Sequence, residues 1–441
     1  MTAPTTTRDR TPRLAREVTT GLLFLFILGD VLGAGVYGLV GEVAGASGGA
    51  VWLPLTVALG LALLTAGSYA ELATRFRSAG GASHYSTLAF GPFVGFLVGF
   101  CMLAAGVVSV AALSLGFAGD YLGALVELPV PLVAAVFLLV LAAINARGIK
   151  ESLRANVVAT LVEVGGLVLV VVLGVVVLAR GDGDVGRLTT VGTPEAGPAA
   201  AVLAGSVLAF YSFVGFETSV NLAEEVRDAR RSYPRALFGA LLVAGAVYVA
   251  VGVVASAVVP TEQLAGSSGP LLEVVEAAGG VPGWVFALIA LVAVANGALL
   301  TGIMSSRLAY GMARDGLLPS VLGRVLPGRR TPWVAIVATT LLSLLLALTG
   351  TVATLAATLV LLLLVVFVAV NAAVLVLRRR PGHEDAFRVP AVVPVLGLAS
   401  CVLLMTQVEG EVWARGSLFV GVGAVLALAA ALRARRRAGR D

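Results

Sequence analysis

Apolar residues return along this chain in runs of about twenty, the length needed to cross the hydrocarbon core of a bilayer. We count twelve such runs, near 18–43, 50–73, 91–118, 129–146, 155–179, 200–224, 235–258, 283–312, 332–349, 353–377, 390–408 and 414–433. Lipid offers the backbone no hydrogen-bond partner, so each run must satisfy its own N–H and C=O groups, which a helix does. The expected class is an all-α integral membrane protein with 12 transmembrane helices. Composition agrees, with 59% of the 441 residues hydrophobic and only 12% charged. The first run follows a basic, Pro/Thr-rich leader (1–17) without a small-residue cleavage signature, so it reads as a retained helix.

Charge sets the orientation. If all twelve runs span, every Lys and Arg except Arg180, Arg187 and Arg415 falls on one side. That is the positive-inside pattern, and it puts both termini, including the basic tail 434–441, in the cytoplasm of a plasma-membrane protein. A wrong helix count would scramble the asymmetry. Nucleic acid is excluded as a partner because no soluble domain carries a basic face. Within the polar segment 260–282, Pro270-Leu-Leu-Glu-Val-Val-Glu-Ala-Ala278 reads either as an amphipathic helix covering the outer vestibule or as a solvated connector. Cys101 and Cys401 lie inside apolar runs and behave as small hydrophobes.

The first run is interrupted. Gly29-Asp30-Val31-Leu32-Gly33-Ala34-Gly35-Val36-Tyr37-Gly38 places four glycines and a carboxylate near mid-span. Glycine weakens a helix and a charge at that depth is costly, so such a break belongs where the freed backbone lines a polar cavity. Gly33 to Gly38 also spells G-x-G-x-x-G, but no strand–turn–helix unit surrounds it and position 58 is Ala, so a dinucleotide site is rejected and no cofactor is expected. A second break lies five runs later, in Leu208-Ala-Phe-Tyr-Ser-Phe-Val-Gly-Phe-Glu217. Paired interrupted helices in corresponding halves mark inverted repeats around a central site. We therefore expect a 5+5 repeat, 18–180 and 200–378, with helices 11 and 12 (390–433) outside it. A half-helix N-terminus suits a carboxylate and the carbonyls of the other half suit an ammonium, so an α-amino acid is the natural ligand. Gly91-Pro-Phe-Val-Gly95-Phe-Leu-Val-Gly99 reads as a small-residue packing ridge with no substrate role.

These residues resemble an amino acid permease of the amino acid–polyamine–organocation superfamily. Gly29 to Tyr37 matches the family's first-helix pattern G-x-x-[IL]-G-A-G-[IV]-[FY]. Ser68-Tyr-Ala-Glu71-Leu, Ala79-Gly-Gly with Ala89-Phe-Gly-Pro92, Asn145-Ala-Arg-Gly-Ile-Lys-Glu-Ser152, Phe213-Val-Gly-Phe-Glu217 with Asn221-Leu-Ala-Glu-Glu225, and Ser306-Arg307-Leu-Ala-Tyr-Gly-Met-Ala-Arg-Asp315 match further segments. Together they cover most of residues 20–330; the last four runs match only in hydropathy. The resemblance implies a leucine-transporter-like fold and alternating access. It implies that Gly33, Ala34 and Gly35 present N–H groups to the substrate carboxylate, and that carbonyls of Phe213, Val214 and Gly215 meet its ammonium. Phe216 becomes a candidate gate; for Phe213 and Phe216 the competing reading is helix packing.

Two residues depart from the pattern. Some proton-coupled relatives carry a Lys nine residues after the Arg of R-x-N on helix five; here Arg154-Ala-Asn156 leads at that spacing to Glu163. Asp30 stands where small or apolar residues are usual. Intramembrane acids are functional candidates by default. Either Glu163, with or without Asp30, carries a coupling proton, or the acids favour a cationic amino acid, amine or polyamine. The plainer alternatives are a helix-capping Asp30 and a backbone-bonded Glu163. Asn296 and Ser305 are candidates for a polar cavity wall, or for packing with local backbone bonds. Glu224, Glu225 and Arg227 read as ion pairs at a helix end. His84 and His383 have no metal-ligand spacing, and no nucleophile–base pair or phosphate loop is present, so neither an enzyme nor an ATP-driven pump is expected. The expectation is proton-coupled uptake of amino acids. An exchanger or importer of cationic amino acids, amines or polyamines is the alternative, and a non-transporting amino acid sensor is the alternative of another class.

Overall fold

Leu-, Ala- and Val-rich runs give helices end to end. The computed structural model describes residues 18–32, 35–76, 81–147, 152–192, 197–329, 331–380 and 385–438, with backbone alone at 152–157 and 431–438. The helices are α1 (Thr20–Val31), α2 (Gly35–Ser47), α3 (Trp52–Arg75), α4 (Gly81–Phe90), α5 (Pro92–Ala118), α6 (Asp120–Gly123), α7 (Val130–Arg147), α8 (Ser152–Arg180) and α9 (Pro198–Tyr211). They continue as α10 (Ala229–Val258), α11 (Thr261–Gly266), α12 (Pro270–Ala278), α13 (Gly283–Arg314), α14 (Trp333–Thr349), α15 (Val352–Leu377), α16 (Val392–Met405) and α17 (Gly410–Ala438). Among the described residues the only strand-like pairing is one parallel bridge, Val18 to Val226.

Among the described residues nine helical segments are long and apolar enough to cross a membrane, ten if the bent pair α1–α2 is one span. The chain is thus a multi-pass membrane protein. The ninth and eleventh apolar runs form the shorter apolar helices α14 and α16. The sixth run, expected as one span over 200–224, is helical only to Tyr211 and resumes as a 3-10 segment at Phe216–Leu222. Helix α4 lies in the loop after the second run, where no element was expected; at 10 residues it is too short to span.

Helix α5 is the central post. In its apolar window 83% is buried, against 22% for α17, so α17 is peripheral. The glycine ridge of α5 makes this approach feasible. A Cβ on Gly95 would run into Thr87 of α4, and one on Gly99 would sit 3.1 Å from Ser83 Oγ. Helix α12 is a packed cover rather than a solvated connector: Leu271, Leu272, Val274 and Val275 are buried, and it rests on α2, α8 and α13.

The face carrying the arginine-rich loops is tied by a buried carboxylate. Glu71 of α3 accepts from Arg378 Nε at 2.8 Å and from the Val389 N–H at 3.1 Å, with Arg75 at 3.5 Å. Arg378 in turn donates to the Val389 carbonyl at 2.7 Å. This joins α3, the end of α15 and the strap before α16. Removing one partner of a buried pair leaves an uncompensated charge and costs about 3–5 kcal/mol. Glu71→Ala is therefore expected to lower the melting temperature of the detergent-solubilised protein sharply, and an unchanged melt would refute the tie.

Candidate functional site

Both expected breaks are present, and they pack against each other. Helices α1 and α2 are bent by 47°. The carbonyl of Val31, at the end of α1, is satisfied by the Tyr248 hydroxyl at 2.5 Å. Gly33 and Ala34 lie outside the described residues. In the second break, Gly215 adopts φ +124°, ψ −35°, a conformation side chains resist, and its N–H donates to the Glu217 carboxylate at 2.9 Å. A Cβ on Gly215 would lie 2.8 Å from the carbonyl oxygen of Asp30, and one on Gly35 2.9 Å from Ser212 Cα. Glycine at both places lets backbone meet backbone. Thr218 Oγ1 ties the breaks, donating to the Asp30 carboxylate and lying 2.9 Å from the Gly215 carbonyl. Among the described residues the carbonyls of Phe213 and Val214 accept no hydrogen bond.

A cavity of about 600 Å³ opens beside the breaks. Asp30, Gly35, Val214, Gly215, Asn296 and Ser305, all singled out from sequence, are on its wall. The ridge glycine Gly99 and its neighbour Gly106 line it too, so the ridge serves the cavity as well as packing. Phe213 and Phe216 do not line it. Phe213 is fully buried against Tyr248, with ring centroids 5.4 Å apart. Phe216 is fully buried, stacked on Phe367 at 5.6 Å and edge-on to Tyr69 at 5.7 Å. Phe216 therefore sits in the core and not on the cavity wall: the chain turns at Gly215, with φ +124°, immediately ahead of it.

Glu163 is fully buried one layer behind the wall. Asn296 Nδ2 donates to its Oε1 at 3.1 Å, and its Oε2 has no partner among the described residues. The Tyr37 hydroxyl donates to the Glu163 backbone carbonyl at 2.7 Å, so α2 is fastened to α8 next to this acid. Thr218, Ser109 and Tyr211 are wall residues that sequence reasoning missed; Ser109 and Tyr211 pair across α5 and α9 at 3.1 Å. Their signal was there to read, as hydroxyls inside otherwise apolar runs.

The wall residues Gly81, Ser83, Asn221, Arg307 and Asp315 carry the cavity toward the arginine-rich face. On the opposite side Tyr37, Tyr121 and Phe286 pack together, and the Tyr121 hydroxyl donates to the Tyr37 carbonyl at 2.6 Å. Among the described wall residues there are three carboxylates (Asp30, Glu217, Asp315) and one guanidinium (Arg307). The wall is therefore acidic, most of all at the breaks. Among the described residues no group of His, Cys, Asp and Glu has the arrangement of a metal site.

The model of a family described as amino acid permease matches residues 21–419. The methylthioribose transporter of Bacillus subtilis is 26% identical over 95% of this chain and 94% of its own length. The branched-chain amino acid permease of the same organism is 28% identical over 94% and 92%. The vacuolar cationic amino acid transporter 4 of Arabidopsis thaliana is 32% identical over 85% of this chain and 65% of its own length.

Proposed function

Because the chain belongs to the amino acid permease family, we propose that it is a secondary transporter that moves amino acids across the plasma membrane by alternating access, coupled to protons. The observation that supports this most is the pair of breaks meeting over one cavity. In this reading α14 and α16 also span, which completes twelve helices, with 18–180 and 200–378 as inverted repeats and both termini in the cytoplasm. The N–H groups at Gly33, Ala34 and Gly35 hold the substrate carboxylate. Of the three carbonyls expected to meet its ammonium, that of Val214 holds it, because Val214 is on the cavity wall, while Phe213 lies off the wall and the Gly215 carbonyl already accepts from the Thr218 N–H and hydroxyl. Phe216 supports this frame from behind and is not its gate. Glu163 carries the proton: one of its oxygens is held by Asn296 on the wall and the other is left without a described partner, so rocking of α13 against α8 changes its surroundings.

The test is uptake of labelled amino acids into proteoliposomes under an imposed pH gradient. Saturable uptake that accelerates with acid outside is expected. Ligand binding without flux would overturn transport in favour of a sensor.

The acidic wall favours a second reading, in which the substrate is a cationic amino acid or amine. One relative is named for cationic amino acids, another for methylthioribose, so family membership alone does not choose. In that reading Asp30 receives the cationic group. Asp30→Asn is then expected to weaken uptake of a cationic substrate about tenfold, roughly 1.4 kcal/mol, while uptake of neutral amino acids holds. Equal losses for both classes would exclude it.

A further inference from the structure

We infer that Asp120 is a positioning residue that latches the face opposite the arginine-rich loops shut. The inference rests on the alternating-access reading above. Asp120 sits just beyond α5, the central post, and reaches across to the start of the cover helix α12. One carboxylate oxygen, Oδ2, accepts from the Ser268 N–H at 2.7 Å, the Gly269 N–H at 3.2 Å and the Ser267 hydroxyl at 3.2 Å. The return bond runs from the Asp120 N–H to Ser268 Oγ at 2.9 Å. The approach is close enough that a Cβ on Gly269 would lie 3.1 Å from Asp120 Cβ. These are N–H groups just ahead of α12 on a carboxylate, the charge-assisted kind of bond, with the Gly269 N–H shared with Ser267 Oγ at 3.1 Å.

The next residue makes the second half of the tie. Tyr121 is fully buried and donates to the Tyr37 carbonyl, and Tyr37 donates to the Glu163 carbonyl. Asp120 thus holds the cover, and Tyr121 holds the half-helix α2 beneath it. Helix α11 presses on the same half-helix, where Gly41 meets the Leu264 carbonyl. For the cavity to open on this face α2 has to leave Tyr121, and α11–α12 have to lift from α2. Asp120 opposes the lift, so it weights the equilibrium toward the state open on the arginine-rich face. The chain from the cover through Tyr121 and Tyr37 ends beside Glu163, the acid proposed to carry the proton.

Two reporter cysteines test this in the full-length protein in membranes, without substrate. Val274→Cys is placed on the buried side of α12, where the residue is fully covered. Met304→Cys is placed on the cavity wall, where the residue is exposed. The native Cys101 and Cys401 are buried, which keeps background labelling low. With Asp120→Ala, maleimide labelling at position 274 is expected to rise and labelling at 304 to fall, each by about fivefold. Asp120→Asn, which keeps an acceptor oxygen, is expected between the two. Ser268→Ala removes only the return bond; it should shift both reporters the same way by less, and it stands in if Asp120→Ala fails to fold. A rise at 274 with 304 unchanged would mean local fraying of α12 and would overturn the latch, as would no change at either. Reciprocal shifts in a protein that moves no amino acid would sink the substrate reading and leave the latch standing.

Discussion

Glu163→Gln is expected to abolish pH-gradient-driven accumulation in proteoliposomes while substrate exchange across the membrane continues. Linked equilibria of this kind are worth about 5–150-fold, and a loss of at least about tenfold is the expected scale. The substitution is conservative in shape. Its amide oxygen still accepts from Asn296, which now meets Oε1 at 3.1 Å. The Tyr37 bond goes to the backbone of residue 163 and is untouched. What Gln cannot do is take up and release a proton. Accumulation of labelled substrate is measured with and without acid outside, and exchange is measured at equal pH. Accumulation that follows the gradient at the original rate would remove Glu163 from the coupling step.

Gly215→Ala is expected to cost transport on the order of a hundredfold. The φ of +124° disfavours any side chain, a strain of about 1–3 kcal/mol. The new methyl would also stand 2.8 Å from the Asp30 carbonyl oxygen and 3.0 Å from its carbon, both backbone atoms with little room to yield. Helix α1 would have to move away from the second break, and misplacement by about 1 Å is enough for a loss of that size. Gly38→Ala is the control, since nothing lies within 4 Å of a Cβ there, and it should transport normally. Equal rates for both variants would mean that the contact of the two breaks is not needed.

The helical frame was legible because lipid leaves so little choice: an apolar run of sufficient length becomes a helix, and the run 50–73 is found as Trp52–Arg75. The breaks were legible because glycine marks where backbone comes close to backbone, as Gly35 and Gly215 do. Side-chain direction after a break was not. Gly215, with φ +124°, turns the chain immediately ahead of Phe216, and the ring of Phe216 packs into the core and away from the cavity. Helix α4 was hidden because Ser, His and Thr in a short stretch read as a loop, yet its Gly81 and Ser83 reach the wall. The Thr218–Asp30 contact joins residues 188 positions apart, and no local pattern announces it.

The bridge at the arginine-rich face has a mechanical consequence. The Val18 N–H donates to the Glu225 carbonyl at 3.1 Å, and the Arg227 N–H donates to the Val18 carbonyl at 3.0 Å. The entrance to the first interrupted helix and the exit of the sixth are thereby yoked. The two breaks therefore share one lever on this side, so a tension applied ahead of Val18, by a fused domain or a bound protein, would pull on both at once.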